Sequence, residues 1–198
     1  MNHKNSVGRP KTFEKDEILR LAMYHFWEHG YSSTNLDELL HAMGIKKSSF
    51  YRTFKSKEEV FSLSLSLYRK EYFEWMHQLQ KQKGTKNALL EMIQSTLAEI
   101  EKSGKVKGCL LMNSGKECYL KYKSLSRHIA IEFDEMLNFT TNFIQKAQDE
   151  NEIVNPLSAR IIAIEYLTLY NGIVMMLQAG LKREDTPNLF LSVEKLLE

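Results

Sequence analysis

The sequence predicts an all-α protein, and three observations support that prediction. Apolar residues recur at three- and four-residue intervals through most of the chain, which is the spacing of one face of an α-helix. Glycine, proline and asparagine interrupt the pattern and mark the ends of its segments. No segment shows the alternation of a half-buried strand. With 198 residues and 43% hydrophobic content, the chain is large enough to bury a sizeable core.

The first predicted helix covers residues 14–30. Ile18, Ala22 and Phe26 recur every four residues and form its apolar stripe. Acidic residues lie in its first turn, where negative charge is favourable beside the helix dipole. Residues 1–12 lack this periodicity and are predicted to form a flexible basic arm.

Two short helices separated by a glycine follow. The first of them covers residues 36–43, and Thr34 or Asn35 caps it. Gly44 supplies the left-handed exit that other residues resist. The next helix covers residues 47–54. Its buried side is predicted to consist of Phe50 and Phe54.

A long fourth helix is predicted to connect two domains. Ser56 and Glu59 form a capping box at its start, and it reaches about residue 82. Pro156 and Pro187 are each predicted at the first position of a later helix, behind a capping residue. The later helices are predicted at about 86–102, 108–120, 124–150, 156–179 and 187–198.

These elements predict about nine helices in two domains. Residues 13–56 form a three-helix bundle that contains a helix-turn-helix, and residues 57–82 form the connecting helix. Residues 83–198 form a C-terminal helical domain. A helix-turn-helix places its second helix in the major groove of DNA, so the expected partner is double-stranded DNA.

The charge distribution agrees with a polyanionic partner at one end of the molecule. The formal net charge is +2, from 27 basic and 25 acidic residues. Residues 1–57 hold ten of the basic and six of the acidic residues, a net charge of +4. The remaining 17 basic and 19 acidic residues give −2. This asymmetry alone is weak support, because a solvated surface often carries an excess of one sign.

A dense set of positions lies between residues 30 and 61. Its members are Gly30-Tyr31, Thr34, Leu36, Leu39, Ala42, Gly44-Ile45, Lys47, Phe50-Tyr51, Phe54, the run 55–59 (Lys-Ser-Lys-Glu-Glu) and Phe61. This set resembles the TetR family of one-component bacterial transcriptional regulators. The resemblance implies a homodimer with N-terminal DNA-binding and C-terminal ligand-binding regions. It also implies a small-molecule effector and, most commonly, repression.

The third helix is predicted to read DNA. Ser48 and Ser49 approach base edges or phosphates, and Lys47 suits either contact. Arg52 can span the O6 and N7 atoms of a guanine. The resemblance implies that Tyr51 reaches a backbone phosphate, and the alternative is that it is a core aromatic residue.

Further contacts are predicted to position the protein on the DNA backbone. Thr34 and Lys57 lie at helix N-termini, where free amides favour phosphate, and Lys55 lies beside them. Lys55 and Lys57 could instead be solvated charges. Arg9, within Gly8-Arg9-Pro10-Lys11, resembles a minor-groove arm, and a disordered terminus is the alternative. The complete predicted DNA-contact set is Arg9, Thr34, Lys46, Lys47, Ser48, Ser49, Tyr51, Arg52, Lys55 and Lys57.

The last two helices are predicted to form the dimer interface. The 156–179 helix is apolar around most of its circumference, and such a helix is expected to be buried on every side. Part of its apolar surface must also serve the core of its own domain. The predicted interface residues are Ile162, Leu169, Ile173, Leu177, Phe190 and Val193.

The effector is predicted to bind among methionine and aromatic residues of the C-terminal domain. The alternative is that these residues form an ordinary core. Cys109 follows two lysines near a predicted helix N-terminus, which favours its thiolate. It is therefore either a thiol that senses electrophiles or a small buried hydrophobic residue. The predicted pocket consists of Met92, Cys109, Met112, Tyr119, Met136, Phe139, Phe143, Tyr166 and Tyr170.

Other functional classes are less well supported. His25 and His29 lie four residues apart, but no further ligand is placed to complete a metal site, so no metal or cofactor is expected. No catalytic motif is recognised, so an enzyme is not expected. An architectural DNA-binding protein without a ligand response remains the alternative. Without a signal peptide or an apolar run of about 18 residues, the chain is expected to be cytoplasmic and not to bind a membrane.

Overall fold

A computed structural model describes residues 15–198, apart from the side chain of Arg183. Within these residues it contains nine α-helices, a single turn of 3-10 helix at 183–185 and no strand. The prediction of an all-α fold is confirmed. The helices are α1 Lys15–His29, α2 Leu36–Met43, α3 Lys47–Thr53, α4 Lys57–Lys83, α5 Thr85–Ser103, α6 Leu110–Cys118, α7 Lys123–Asp149, α8 Ala159–Gln178 and α9 Thr186–Leu196.

Helices α1 to α3 form the N-terminal bundle, here called the head. Phe26, Phe50 and Phe54 are each at most 2% exposed in its centre. Asn35, not Thr34, caps α2: its side chain accepts a hydrogen bond from the Glu38 amide, and the Glu38 carboxylate accepts one from the Asn35 amide. These caps and aromatic residues fix the angle between α2 and α3.

Gly44 ends α2 as the sequence predicts. Its φ of 66° lies in the left-handed region, where glycine is favoured. A Cβ atom at this position would meet no neighbour within 4 Å, so the requirement comes from the backbone and not from crowding.

Helix α4 leads from the head into helices α5 to α9, here called the body. Its 27 residues span about 40 Å, and it packs against α1, α5 and α7. The Ser56 hydroxyl accepts a hydrogen bond from the Glu59 amide, as predicted. The Glu59 carboxylate, however, binds the amide of Lys55 and not that of Ser56, so the capping box is incomplete.

The apolar core does not divide at the end of the head. One cluster joins the head and the first half of α4 with parts of α6 and α7, including Leu110, Leu111 and Leu125. A second cluster joins the second half of α4 with α5, α7, α8 and α9. The buried apolar residues of helix α6 therefore belong to the cluster that contains the core of the head.

The predicted start of α8 at Pro156 is wrong. The helix begins at Ala159, because Asn155 is engaged elsewhere. Its side-chain oxygen accepts a hydrogen bond from the Leu157 amide, and its side-chain nitrogen donates to the Leu196 carbonyl. Pro156 lies in the turn between these contacts. Pro187, in contrast, lies in the first turn of α9 as its second residue, because the helix begins at Thr186, the residue predicted as the cap.

Candidate nucleic-acid interface and effector cavity

The outward face of α3 is basic and polar. Phe50 faces the core, which leaves Lys47, Ser48 and Arg52 exposed and Tyr51 55% exposed. Lys46 and Lys55 are exposed on either side of the helix, and Ser49 is half-buried. In the part of the chain that the structure describes, none of these four cations forms an ion pair. The face can therefore bind an anionic backbone and present hydrogen-bonding groups to a groove.

Thr34 and Lys57 have other partners. The Thr34 side chain is buried, and its hydroxyl donates a 2.7 Å hydrogen bond to the Gly30 carbonyl. The Lys57 ammonium donates to the carbonyls of Tyr31 and Thr34 at 2.8 and 2.7 Å and lies 4.1 Å from the centre of the Tyr31 ring. In this arrangement both side chains stabilise the turn between α1 and α2. Arg9 lies outside the described residues.

A carboxylate of the body holds the same turn from the other side. The side chain of Glu117, on α6, accepts hydrogen bonds from the amides of Tyr31 and Ser32 at 3.0 and 2.5 Å. The Ser32 hydroxyl donates to the Tyr122 hydroxyl at 3.2 Å, and the rings of Tyr31 and Tyr122 meet edge to face at 5.0 Å. We call these contacts of Glu117 and Tyr122 the α6 clasp. These contacts connect the end of α6 and the turn after it to the head.

A cavity of about 340 Å³ lies where the head meets the body. Its walls are mainly aromatic and apolar, and they come from α1, α4, α5, α6, α7, α8 and the segment that precedes α6. The lining residues are Met23, Tyr24, Trp27, Tyr68, Glu71, Tyr72, Trp75, Met92, Ser95, Thr96, Glu99, Ile100, Lys105, Lys107, Gly108, Cys109, Leu111, Met112, Phe133, Met136, Leu167, Tyr170 and Asn171.

Five of the nine residues predicted for the pocket line this cavity, and four do not. Those that do are Met92, Cys109, Met112, Met136 and Tyr170. Tyr119 is 74% exposed on the turn after α6. Phe139 stacks on Phe73 at 3.9 Å and packs against Phe143, so both belong to a separate aromatic cluster. Tyr166 is fully buried, and its hydroxyl donates to the Leu89 carbonyl.

The polar groups in the cavity wall include the charged side chains of Glu71, Glu99, Lys105 and Lys107 as well as neutral hydroxyls. The Thr96 and Tyr170 hydroxyls lie 3.3 Å apart, and the Tyr72 hydroxyl contacts the Met92 sulfur at 3.1 Å. Burial raises the pKa of Tyr170 to about 12 and that of Tyr68 well above its usual value. These tyrosines therefore stay protonated at neutral pH and can donate hydrogen bonds to an uncharged ligand.

The prediction that Cys109 has a favoured thiolate is wrong. Cys109 occupies the capping position before α6, but burial raises the pKa of its thiol above the usual value, and hydrogen bonds to its surroundings only partly oppose that effect. Burial likewise raises the pKa of the Cys118 thiol to about 11. Both cysteines are free thiols.

Comparisons with known protein families identify the regulator class. The family model described as "Bacterial regulatory proteins, tetR family" matches residues 18–62, and the model described as "Tetracyclin repressor-like, C-terminal domain" matches residues 85–187. The chain belongs to the TetR family. The two matches confirm the resemblance, and the TetR family consists of DNA-binding transcriptional regulators, which are not enzymes.

Individual TetR-family relatives agree with this assignment. The transcriptional repressor ComR of Escherichia coli K12 is 33% identical over 114 residues, which are 56% of this chain and 54% of ComR. The chain therefore spans about half the length of that relative. A cysteine mutant of CifR bound to 26-bp operator DNA has a TM-score of 0.75 at 23% identity, covering 96% of this chain and 98% of CifR. Bacillus subtilis FadR, solved with stearoyl-CoA, has a TM-score of 0.69 at 19% identity, covering 93% and 97%.

In this TetR-family chain, most residues predicted for the dimer interface lie in the protomer's own core. Ile162, Ile173, Leu177 and Val193 are at most 8% exposed, while Leu169 and Phe190 are half-buried. The expectation that α8 is buried on every side also fails within one protomer. Its free face carries large apolar side chains that are 44 to 58% exposed. They are Ile161, Ile164, Met175 and Met176.

Helix α8 has a second property that follows from this composition. Among the described helices it is the one long and apolar enough to cross a membrane. Core helices of water-soluble proteins meet the same criterion, so this is weak support for a membrane span.

The two histidines of α1 lie next to each other. The rings of His25 and His29 lie 4.5 Å apart, and no group of three or more metal-binding side chains occurs among the described residues. The Nε2 atom of His25 is buried without a hydrogen-bond partner. Burial, helped by the neighbouring His29, lowers the pKa of His25.

Sequence reasoning missed the contribution of α1 and α4 to the cavity. Tyr68, Tyr72 and Trp75 are spaced four and three residues apart, so they lie on one face of α4. That spacing was available in the sequence, but it fits a connecting helix equally well. Glu117 carried no signal at all, because its partners are backbone amides 85 and 86 residues away.

Proposed function

We propose that the chain is a homodimeric repressor that binds a palindromic operator and leaves it when a small, uncharged and mainly apolar molecule enters the cavity. The observation that carries this proposal is the composition of the cavity wall, which includes α1 of the head as well as helices of the body. An occupant would contact both parts at once. It would therefore act on the position of the head without a relay through distant elements.

Two of the helices that line the cavity, α1 and α6, are connected to the DNA-binding head: α1 is part of the head, and α6 contacts it. Met23, Tyr24 and Trp27 line it from α1, and the Trp27 indole donates a 2.9 Å hydrogen bond to the Gly108 carbonyl just before α6. Leu111 and Met112 line it from α6, whose other end carries the α6 clasp. A ligand that fits better when these walls move apart would favour a head position different from the DNA-bound one. Its differential affinity for the two positions sets the loss of operator affinity.

The DNA contacts proposed for this chain are Lys46, Lys47, Ser48, Ser49, Tyr51, Arg52 and Lys55. All of them except the half-buried Ser49 are exposed, and the four cations among them form no ion pair within the described residues, which supports the assignment. One head reads a few base pairs, so specific binding requires two heads in a symmetric dimer and a palindromic site. The exposed apolar face of α8 supplies a surface for that dimer.

Reversible binding fits the cavity better than attack by a thiol. Burial raises the pKa of the Cys109 thiol, so little thiolate is present at neutral pH, and the thiolate is the reactive form. In this proposal Cys109 is a wall contact. Operator release by the effector should therefore persist in the Cys109→Ser variant, and its complete loss would instead favour a thiol-reactive effector.

The test uses the two tryptophans of the chain, Trp27 and Trp75, which both line the cavity. Operator DNA is first selected from a random pool with the full-length protein. Small uncharged aromatic and aliphatic compounds are then titrated while tryptophan emission and operator binding are recorded together. A compound that changes the emission should also release the DNA.

A pair of matched variants on α5 controls this experiment. Ser95 lines the cavity, whereas Ser103 is exposed at the end of the same helix. Ser95→Phe should fill the cavity and abolish both responses, and Ser103→Phe should retain both. Release of DNA from Ser95→Phe at the wild-type concentration of compound would contradict the proposal.

A further inference from the structure

The connection between α6 and α7 carries a second group of cations. Lys116, Lys121, Lys123 and Arg127 are all exposed, and no ion pair to any of them occurs among residues 15–198. Glu117 is the single acidic residue between positions 116 and 131. Its carboxylate already binds two backbone amides in the α6 clasp. This basic surface is therefore uncompensated, on a body that is acidic overall.

Aromatic and apolar side chains alternate with these cations. Leu120 and Tyr119 are 87% and 74% exposed, the highest exposures of any large apolar residue that the structure describes. Lys121 and Lys123 flank Tyr122, whose hydroxyl reaches the head. Clustered exposed cations are the electrostatic feature by which a protein surface binds a nucleic-acid backbone.

The α6 clasp places this surface beside the turn that leads into the helix-turn-helix. Glu117 binds the amides of Tyr31 and Ser32, and Ser32 binds Tyr122 at 3.2 Å. Three residues after Ser32, the Asn35 cap begins α2, the first helix of the helix-turn-helix. In that motif the first helix crosses the DNA backbone. The basic surface therefore lies next to the N-terminal end of α2.

We propose that the basic surface of residues 116–127 is a second DNA contact, which binds backbone phosphates beside the groove that α3 reads. This inference rests on the proposed operator binding, and it extends the DNA contact from the head to residues 116–127 of the body. The contact would be independent of base sequence, because it is made by exposed cations to phosphates. Since α6 also lines the cavity, an effector that moves α6 would weaken this contact together with the α6 clasp.

The test compares two double variants that remove the same charge. Lys121→Gln with Lys123→Gln removes the proposed contact. Lys81→Gln with Lys195→Gln is the matched control, because both lysines are exposed and lie far from the head. Lys81 is 24 residues along α4 from Lys57, about 36 Å, and Lys195 is next to Leu196, which binds the turn at Asn155.

The readout is the salt dependence of binding to the selected operator. Each lost phosphate contact reduces the magnitude of the slope of log K against log salt concentration by about 0.9. Two lysines in each protomer of a dimer can make up to four such contacts, so the slope of the Lys121 and Lys123 variant should be smaller in magnitude by roughly two to four. The control should keep the wild-type slope. Equal slopes for the two variants would overturn the inference. If wild-type protein selects no operator at all, the proposed function fails instead, so the two failures are distinguishable.

Discussion

Arg52 is the side chain on α3 best suited to read a base. It is exposed, it lies one residue after the exposed Tyr51, and it has no carboxylate partner among the described residues. Arg52→Ala should relax the operator preference at one base pair by about 1–3 kcal/mol, because two hydrogen bonds to guanine are lost. Binding to a randomised operator library measures that preference.

The residue next to Arg52 provides its control. The Thr53 hydroxyl donates to the Ser49 carbonyl within α3, so Thr53→Ala removes a local hydrogen bond and no predicted base contact. Its base preference should match that of the wild type. An unchanged preference in Arg52→Ala would exclude Arg52 as a reader of sequence.

His25 should make the stability of the head depend on pH. Burial lowers its folded-state pKa below the ordinary value of 6.5, so between these two pKa values the unfolded chain binds more protons. The free energy of unfolding should therefore fall as pH drops from 7 through 6.5 and below. Urea denaturation at several pH values measures this loss.

A variant of His25 without a titrating group tests the cause. His25→Phe should reduce the fall in stability between pH 7 and pH 5, because Phe carries no proton. His41→Gln, at an exposed histidine of α2, is the matched control and should keep the wild-type dependence. The same pH dependence in His25→Phe and in the wild type would show that other groups cause it.

At the scale of elements, local signals explain which helices could be predicted. The Asn35 cap, Gly44 and the Phe50–Phe54 spacing each act within a few residues, and they define α2 and α3. The start of α8 depends instead on Asn155 binding the C-terminal Leu196 carbonyl, 41 residues away. A contact between residues so far apart in the sequence cannot be predicted from the local spacing of apolar residues.

The cavity was predictable only in part, for a related reason. Met92, Met136 and Tyr170 are flexible or aromatic residues on helices of the body, and composition pointed to them. Tyr166 is also an aromatic residue on a helix of the body, so composition pointed to it as well. Its hydroxyl, however, donates to the Leu89 carbonyl, and its side chain is buried in the core instead of lining the cavity. Trp27 was missed because its helix was assigned wholly to the head, and helix packing alone brings it to the body.

The α6 clasp should stabilise the head through one carboxylate. Glu117→Ala leaves the amides of Tyr31 and Ser32 without their charged acceptor. Loss of these partly exposed hydrogen bonds should lower the free energy of unfolding by about 1–2 kcal/mol and speed amide hydrogen exchange at both residues. Exchange measured by NMR resolves the two amides individually.

Glu101→Ala provides the comparison for this measurement, because Glu101 is exposed on α5 and lies outside the clasp. Exchange at Tyr31 and Ser32 should be unchanged in that variant. If Glu117→Ala also leaves both amides protected as in the wild type, α6 does not hold the turn, and the proposed route from the cavity to the head loses its support.

At the scale of the whole molecule, the shared cores explain why the head should respond to the body. Leu110 and Leu111 of α6 pack in the same cluster as Phe26 and Phe61. The head therefore shares its apolar core with α6 and is not an independent domain on a flexible linker. A shift of α6 has to be accommodated by the packing of α1 and α4. Side chains that pack in contact transmit such a shift to their neighbours.

The free face of α8 determines whether two such molecules associate. Ile161, Ile164 and Met175 follow helical spacing and expose apolar surface that one protomer leaves uncovered. Ile164→Glu with Met175→Glu should convert a dimer into a monomer, because two carboxylates per protomer would be buried without partners. Sedimentation equilibrium measures this change, and operator affinity should fall on the order of 100-fold when the two heads are no longer linked.

Val154→Glu, at an apolar residue that is 72% exposed outside α8, should leave both the dimerisation and the operator affinity unchanged. A dimer that persists in the α8 variant would require a different interface, and the proposed binding to a palindromic operator would then depend on another pair of surfaces.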